Sequence, residues 1–140
     1  MVTSNLIQVI DSKLWDKIDA LCKEWNKAGG VYKLIALSNG VRIPINRFLS
    51  QDIEGVLYIG KATSFLRRVI DLKKSIMPDY NSASHDCGSR YKSNNEIAKR
   101  FPIEGLYIQL CPSDTPGILE TELLMGYRST FGEVPPLNAI

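Results

Sequence analysis

An α+β fold, an α/β sandwich with a small central antiparallel or mixed sheet flanked by helices, is what this sequence predicts. Apolar residues recur at helical spacing near 12–27, 64–76 and 114–131, while short β-branched and aromatic runs bounded by turn residues lie at 31–37, 56–60 and 106–111. At 140 residues, 44% of them hydrophobic, the chain is about one domain long and has enough apolar side chain for a core. A single domain over 1–140 is expected, with residues 1–28 as an N-terminal helical extension.

From Ser12 to Lys27 the residues Leu14, Trp15, Ile18, Leu21, Cys22 and Trp25 mark one helix face, with Asp11 or Ser12 as N-cap and Gly29-Gly30 as the stop. Val31 to Leu37 is a strand, and Ser38-Asn39-Gly40 turns the chain into a second extended run, Val41 to Ile45. The pair predicts an inserted β-hairpin arm, with Pro44 at an edge because it has no N–H for a central ladder. A polar loop through Gln51 and Asp52 leads to the strand Val56 to Gly60. Thr63 or Ser64 then caps a helix to about Ile76, closed by Pro78. Asp79 to Asn95, rich in Ser, Asn, Asp and Gly, reads as a long loop, followed by a short helix from Asn95 to Arg100. Leu106 to Cys111 is the third long strand. Ser113 or Asp114 caps the last helix, with Pro116 in its first turn, Leu119, Leu123 and Tyr127 as its inward stripe, and Gly132 at its end.

Composition excludes several classes. The longest apolar runs, such as Val56 to Ile59, are far shorter than the roughly 20 residues that span a bilayer, and Met1 to Ile10 has no signal-peptide pattern. No membrane association and a cytoplasmic location are expected. Cys22, Cys87 and Cys111 lie far apart beside one histidine, which suits neither a zinc site nor a disulfide framework. No GxSxG elbow points to a serine hydrolase. The net charge of +2 is modest, but Lys61, Arg67, Arg68, Lys73 and Lys74 crowd one stretch, and Arg90, Lys92, Lys99 and Arg100 form another.

The order of elements and the residues on them resemble the GIY-YIG nuclease superfamily. Gly30-Val31-Tyr32 looks like its GIY and Tyr58-Ile59-Gly60 its YIG. Lys61 follows the glycine, Arg68 stands where the family has its arginine, Leu119-Glu120 is similar to its metal-binding helix, and Pro136-Leu137-Asn138 matches its closing asparagine. The match runs from about Gly29 to Asn138. Two departures stand out. The tyrosines are about twice the usual interval apart, because the arm lies between them, and Leu72 occupies a position where many members have His or Tyr.

The resemblance implies a divalent-metal-dependent DNA endonuclease that hydrolyses phosphodiester bonds. Tyr32 would be the proton acceptor, Tyr58 a hydrogen-bond partner, Arg68 and Lys61 the positive charges at the phosphate, and Glu120 the ligand of Mg2+ or Mn2+. Glu122 lies about 200° from Glu120 on the helical wheel and would face away. His85, in the loop after the arginine helix, is expected to reach the tyrosines and replace what Leu72 displaced. Arg67, Lys73, Lys74 and Arg90 are candidate DNA contacts, and Asn138 an orienting residue. The alternative is a catalytically weak or inactive GIY-YIG-like module that binds nucleic acid or protein. The sequence contains no appended DNA-reading unit, so specificity is left to the arm, the 79–95 loop, a homodimer or a partner protein.

Overall fold

A computed structural model describes residues 1–78 and 85–139. The chain runs β1 (Ile7–Gln8), α1 (Leu14–Trp25), β2 (Gly30–Ser38), β3 (Val41–Arg42), β4 (Ile45–Asn46), β5 (Gln51–Asp52), β6 (Val56–Ala62), α2 (Phe65–Ile76), α3 (Asp86–Lys92), α4 (Asn95–Arg100), a 3-10 turn (Ile103–Gly105), β7 (Leu106–Pro112) and α5 (Pro116–Phe131). β2 lies between β6 and β7, β1 extends the sheet beyond β7, and β3 pairs with the far end of β2. This is the α+β class that the apolar patterning predicts. Every strand pairing among the described residues is antiparallel, the first of the two expected arrangements.

β2 is central because Val31 to Leu37 is apolar almost throughout, as a strand covered on both faces must be. Tyr32, Leu34 and Ala36 pack on one face with Leu14 and Ile18 of α1 and Phe65, Val69 and Leu72 of α2. Val31 and Ile35 pack on the other with Leu119, Leu123, Tyr127 and Phe131 of α5. Each fully buried Leu or Val contributes about 1.5–3 kcal/mol by leaving water, so these two layers fix which side of the sheet each helix occupies.

Several element ends differ from expectation. α1 starts after Lys13, whose N–H bonds to the Asp11 carboxylate at 2.8 Å, and it is closed by Asn26 in a left-handed conformation (φ 52°) rather than by Gly29-Gly30. A Cβ on Gly30 would come 2.1 Å from the Cys111 carbonyl oxygen, so that glycine serves close strand packing instead. Ser64 caps α2 by accepting the Arg67 N–H, as one of the two expected caps. Thr115, rather than Ser113 or Asp114, stands at the N-cap of α5 without a side-chain cap bond, while Ser113 Oγ accepts the Thr115 N–H one step earlier. β1 was not expected, because two residues are too short to show a period.

The arm is also not one hairpin. Asn39 and Gly40, both at positive φ (52° and 78°), make the tight turn into β3, which suits the twist of a two-residue loop. Pro44 then splits the expected Val41–Ile45 strand, and its second half pairs with β5 as a separate ribbon. The buried Asp52 ties this ribbon down by accepting hydrogen bonds from Tyr127 Oη and the Glu54 and Val56 N–H groups. Three donors offset the cost of burying a carboxylate.

The largest correction concerns Asp79 to Asn95. Residues 79–84 lie outside the described residues, but α3 occupies 86–92 where a loop was expected. Gly88 at its centre disfavours a helix by about 1 kcal/mol relative to alanine, and tertiary contact overrides that preference. The bare glycine lets α3 settle onto Ser75 of α2, and Tyr91 Oη donates to the Phe101 carbonyl.

Candidate active site

The register of β2 against β6 sets Tyr32 opposite Gly60 and Leu34 opposite Tyr58, which makes the two tyrosines diagonal neighbours on one sheet face. The arm between them therefore leaves them adjacent, with ring centroids 6.0 Å apart. A Cβ at Gly60 would lie 2.5 Å from the Tyr58 ring and 2.8 Å from Tyr32 Oη. The glycine is the floor that both rings need. Tyr32 is wholly buried, whereas Tyr58 is partly open to solvent.

His85 caps the start of α3, and its ring stands nearly edge-on to both tyrosines, 6.1 Å from Tyr32 and 5.5 Å from Tyr58. Nδ1 accepts the Cys87 N–H at 3.1 Å, which assigns the ring proton of the neutral imidazole to Nε2, 2.5 Å from Tyr32 Oη. Burial pushes His85 down to about 4, Arg68 adds to the effect, and Asp86 and Asp71 oppose it. The ring is neutral at neutral pH. Burial also raises Tyr32 and Tyr58, and Arg68 pulls both down. The neighbouring Tyr58 also raises Tyr32 through its charge. His85 Nε2–H donates to Tyr32 Oη, and the Tyr58 ring stands beside both rings.

Arg68 is brought to this cluster by α2, whose buried side carries Phe65, Val69, Leu72 and Ile76. Leu72, where the resemblance expects His or Tyr, is fully buried in that core. A polar group there would point into apolar packing, and α3 supplies the imidazole from elsewhere. Arg67 and Lys61 are exposed, and both line a cleft with Arg68 beside the start of α5.

Glu120 falls among the inward residues of α5, half-buried, and its negative charge is one of the influences raising Tyr58, after burial and Cys87. Glu122 is exposed on the outer side. Among the described residues no three His, Cys, Asp or Glu side chains gather as a metal cluster. A lone carboxylate oxygen donor fits a hard ion that keeps much of its water, such as Mg2+, and not zinc. Asn138 pairs its amide with β6, accepting the Ile59 N–H at 3.0 Å and donating to the Ile59 carbonyl at 2.9 Å. It thereby pins the C-terminal segment beside Tyr58.

The other basic candidates separate. Lys74 is exposed on α2, on the Arg67 side of the helix. Lys73 lies about 140° around the helix from Arg68 and close enough to Asp11 to lower its carboxyl, so it belongs to the α1 side and not to the cluster. Arg90 donates to the Leu137 carbonyl at 2.7 Å, which commits it to holding the C-terminal segment.

Protein-family models, curated proteins and solved structures yield no match to this chain. The resemblance to GIY-YIG nucleases therefore rests on the residues of the sequence. Two contributors had no signal in the sequence: the Cys87 N–H that fixes the imidazole tautomer, and the Gly88–Ser75 contact that seats α3. The first is a local cap at the start of α3, and the second arises only when α3 meets α2.

Proposed function

We propose that this chain is a divalent-metal-dependent DNA endonuclease hydrolysing phosphodiester bonds, as the resemblance to GIY-YIG nucleases implies. The observation that carries the reading is the convergence of Tyr32, Tyr58, Arg68 and His85, from four separate elements, on one sheet face. Packing alone does not call for a buried hydrogen bond between Tyr32 and His85 beside the more open tyrosine.

Phosphodiester hydrolysis needs an acceptor for the proton of the attacking water and positive charge where the phosphate gains negative charge. The resemblance gives the acceptor role to Tyr32, but water cannot touch a wholly buried hydroxyl. Tyr58 takes that role here. A phenol ionises near pH 10 in water, and burial makes ionisation harder still, so its phenolate needs help. Arg68 supplies charge, and His85 holds Tyr32 in place beside the Tyr58 ring. The guanidinium fork of Arg68 also suits two phosphate oxygens, and Lys61 adds a cation at the same mouth. Glu120 would hold Mg2+ or Mn2+, which when bound adds positive charge at the phosphate and makes water easier to ionise. No described helix is long and apolar enough to cross a membrane, and a cytoplasmic enzyme acting on DNA alone, as a homodimer or with a partner protein is our reading.

The burial of Tyr32 and His85 favours a second reading, in which the cluster is packing within a module that binds nucleic acid or protein without cleaving it. Incubation of the purified chain with supercoiled plasmid, branched DNA and single strands, each with Mg2+, Mn2+ or chelator, separates the two. Nicking that the chelator abolishes supports the nuclease. Binding without cleavage of any substrate supports the module.

A further inference from the structure

A cleft of about 240 Å³ opens beside the tyrosine cluster, between the start of α2 and the start of α5. Lys61, Arg67 and Arg68 line it, with Thr63 and Ser64 between them and Pro116 opposite, and no carboxylate does. None of the three basic side chains has an ion pair or side-chain hydrogen bond among the described residues. By contrast Lys17, Lys27 and Arg47 are each paired with a carboxylate. Three uncompensated cations around one concavity repel one another unless an anion sits among them. Two helices also begin at this mouth, and both dipoles favour negative charge there.

Arg68 belongs to the cleft and to the tyrosine cluster at once, so the two sites are contiguous. Arg68 and Lys61 serve the phosphate at Tyr58, which leaves the exposed Arg67 facing a position further along the same cleft. Ala62 and Pro116 give the cleft apolar surface against which a sugar can rest. We propose that this cleft holds the phosphate next to the one being cleaved. The substrate is then recognised as at least two successive phosphodiesters of one strand. The inference rests on reading the tyrosine cluster as a phosphodiester-hydrolysing site.

The test compares thymidine 5′-(p-nitrophenyl phosphate), which has one phosphodiester, with the dinucleotide analogue that carries one more. In the wild-type protein the second phosphate is expected to raise kcat/KM about tenfold, the effect of one or two charge-assisted hydrogen bonds. Arg67→Ala should lose most of that gain, and Arg67→Lys should keep a larger part of it. Equal gains in wild type and Arg67→Ala would overturn the subsite. A second arm needs no turnover: binding of fluorescein-labelled oligothymidylate, by anisotropy, across a salt series with chelator present. Arg67→Ala should weaken binding and lower the slope of log K against log salt by about one. An unchanged slope, or no binding by the wild type, overturns the proposal. If neither analogue is hydrolysed but the slope falls as expected, the hydrolytic reading fails and the phosphate site stands. Arg67 is exposed and unpartnered, so its variants should fold, and a thermal melt verifies it.

Discussion

His85 Nε2 lies 2.5 Å from Tyr32 Oη, and the same ring receives the Cys87 N–H on Nδ1. A histidine held this way can only give a proton toward Tyr32. Its loss of basicity, down to about 4, is the consequence of being buried beside Arg68, and it keeps the imidazole neutral in its donor tautomer. The bond fixes the Tyr32 ring beside Tyr58, the tyrosine that solvent reaches.

Replacing His85 with alanine should cut the single-turnover rate at saturating DNA by about tenfold to a hundredfold at pH 7. Each unit by which the phenol of Tyr58 becomes harder to ionise lowers its ionised fraction tenfold. The rate should still rise with pH, but the variant's profile should be displaced to higher pH. A uniformly lower rate with an unshifted profile would make His85 a packing residue only.

Stability should respond to the same residue. The fold lowers the affinity of His85 for a proton from the reference 6.5 to about 4, so the unfolded chain binds the proton first as the solution is acidified. The contribution of neutral His85 is complete above about pH 6.5 and is lost as the pH falls toward about 4, at up to about 1.4 kcal/mol per pH unit. Urea unfolding at pH 7.5 and 4.5 should show the wild type losing more stability than His85→Gln. Parallel losses would remove His85 from the acid response.

Much of this arrangement was legible in the sequence, for reasons that differ by residue. The long strands carry period and composition together, and Ser38-Asn39-Gly40 could only be a turn, so the sheet around Tyr32 and Tyr58 was readable. Helical geometry showed that Glu120 and Glu122 face different ways, and the resemblance to the family pattern after Leu119 selected Glu120. α3 was not readable, because Asp86-Cys87-Gly88-Ser89 favours turns locally and becomes helical through contact with Ser75. The relative openness of the two tyrosines was hidden too, since both occupy positions of the same face and their strands' places, β2 central and β6 paired only with β2 among the described residues, come from the sheet pairing.

Glu120→Gln should abolish divalent-ion-dependent cleavage without changing the thermal melt, because it removes one charge at nearly constant shape. Glu122→Gln, exposed on the outer side of α5, should be nearly silent. Titrating Mg2+ against the residual rate distinguishes weakened ion binding from a lost step. Full activity in Glu120→Gln would take the carboxylate out of the site.

Gly88→Ala sets two physical effects against each other. In an isolated helix alanine is favoured over glycine by about 1 kcal/mol, and the substitution should stabilise α3. In the folded chain the new Cβ would fall 1.8 Å from Ser75 Oγ and 2.3 Å from Ser75 Cβ, while Ser75 Oγ is itself engaged with the Leu72 carbonyl at 2.8 Å. Overpacking of that kind costs about 1–3 kcal/mol, which outweighs the propensity gain. The variant should therefore be destabilised in urea unfolding. Because His85 rides on the first turn of α3, its cleavage rate should fall toward that of His85→Ala. Ser75→Ala should not rescue it, since the Cβ contact remains. Ser75→Gly combined with Gly88→Ala should recover part of the loss, with a coupling of about 0.5–3 kcal/mol between two touching sites. A Gly88→Ala protein as stable as the wild type, or additive losses in the double variant, would show that α3 is not seated on α2 at this contact, and the placement of His85 beside Tyr32 would fall with it.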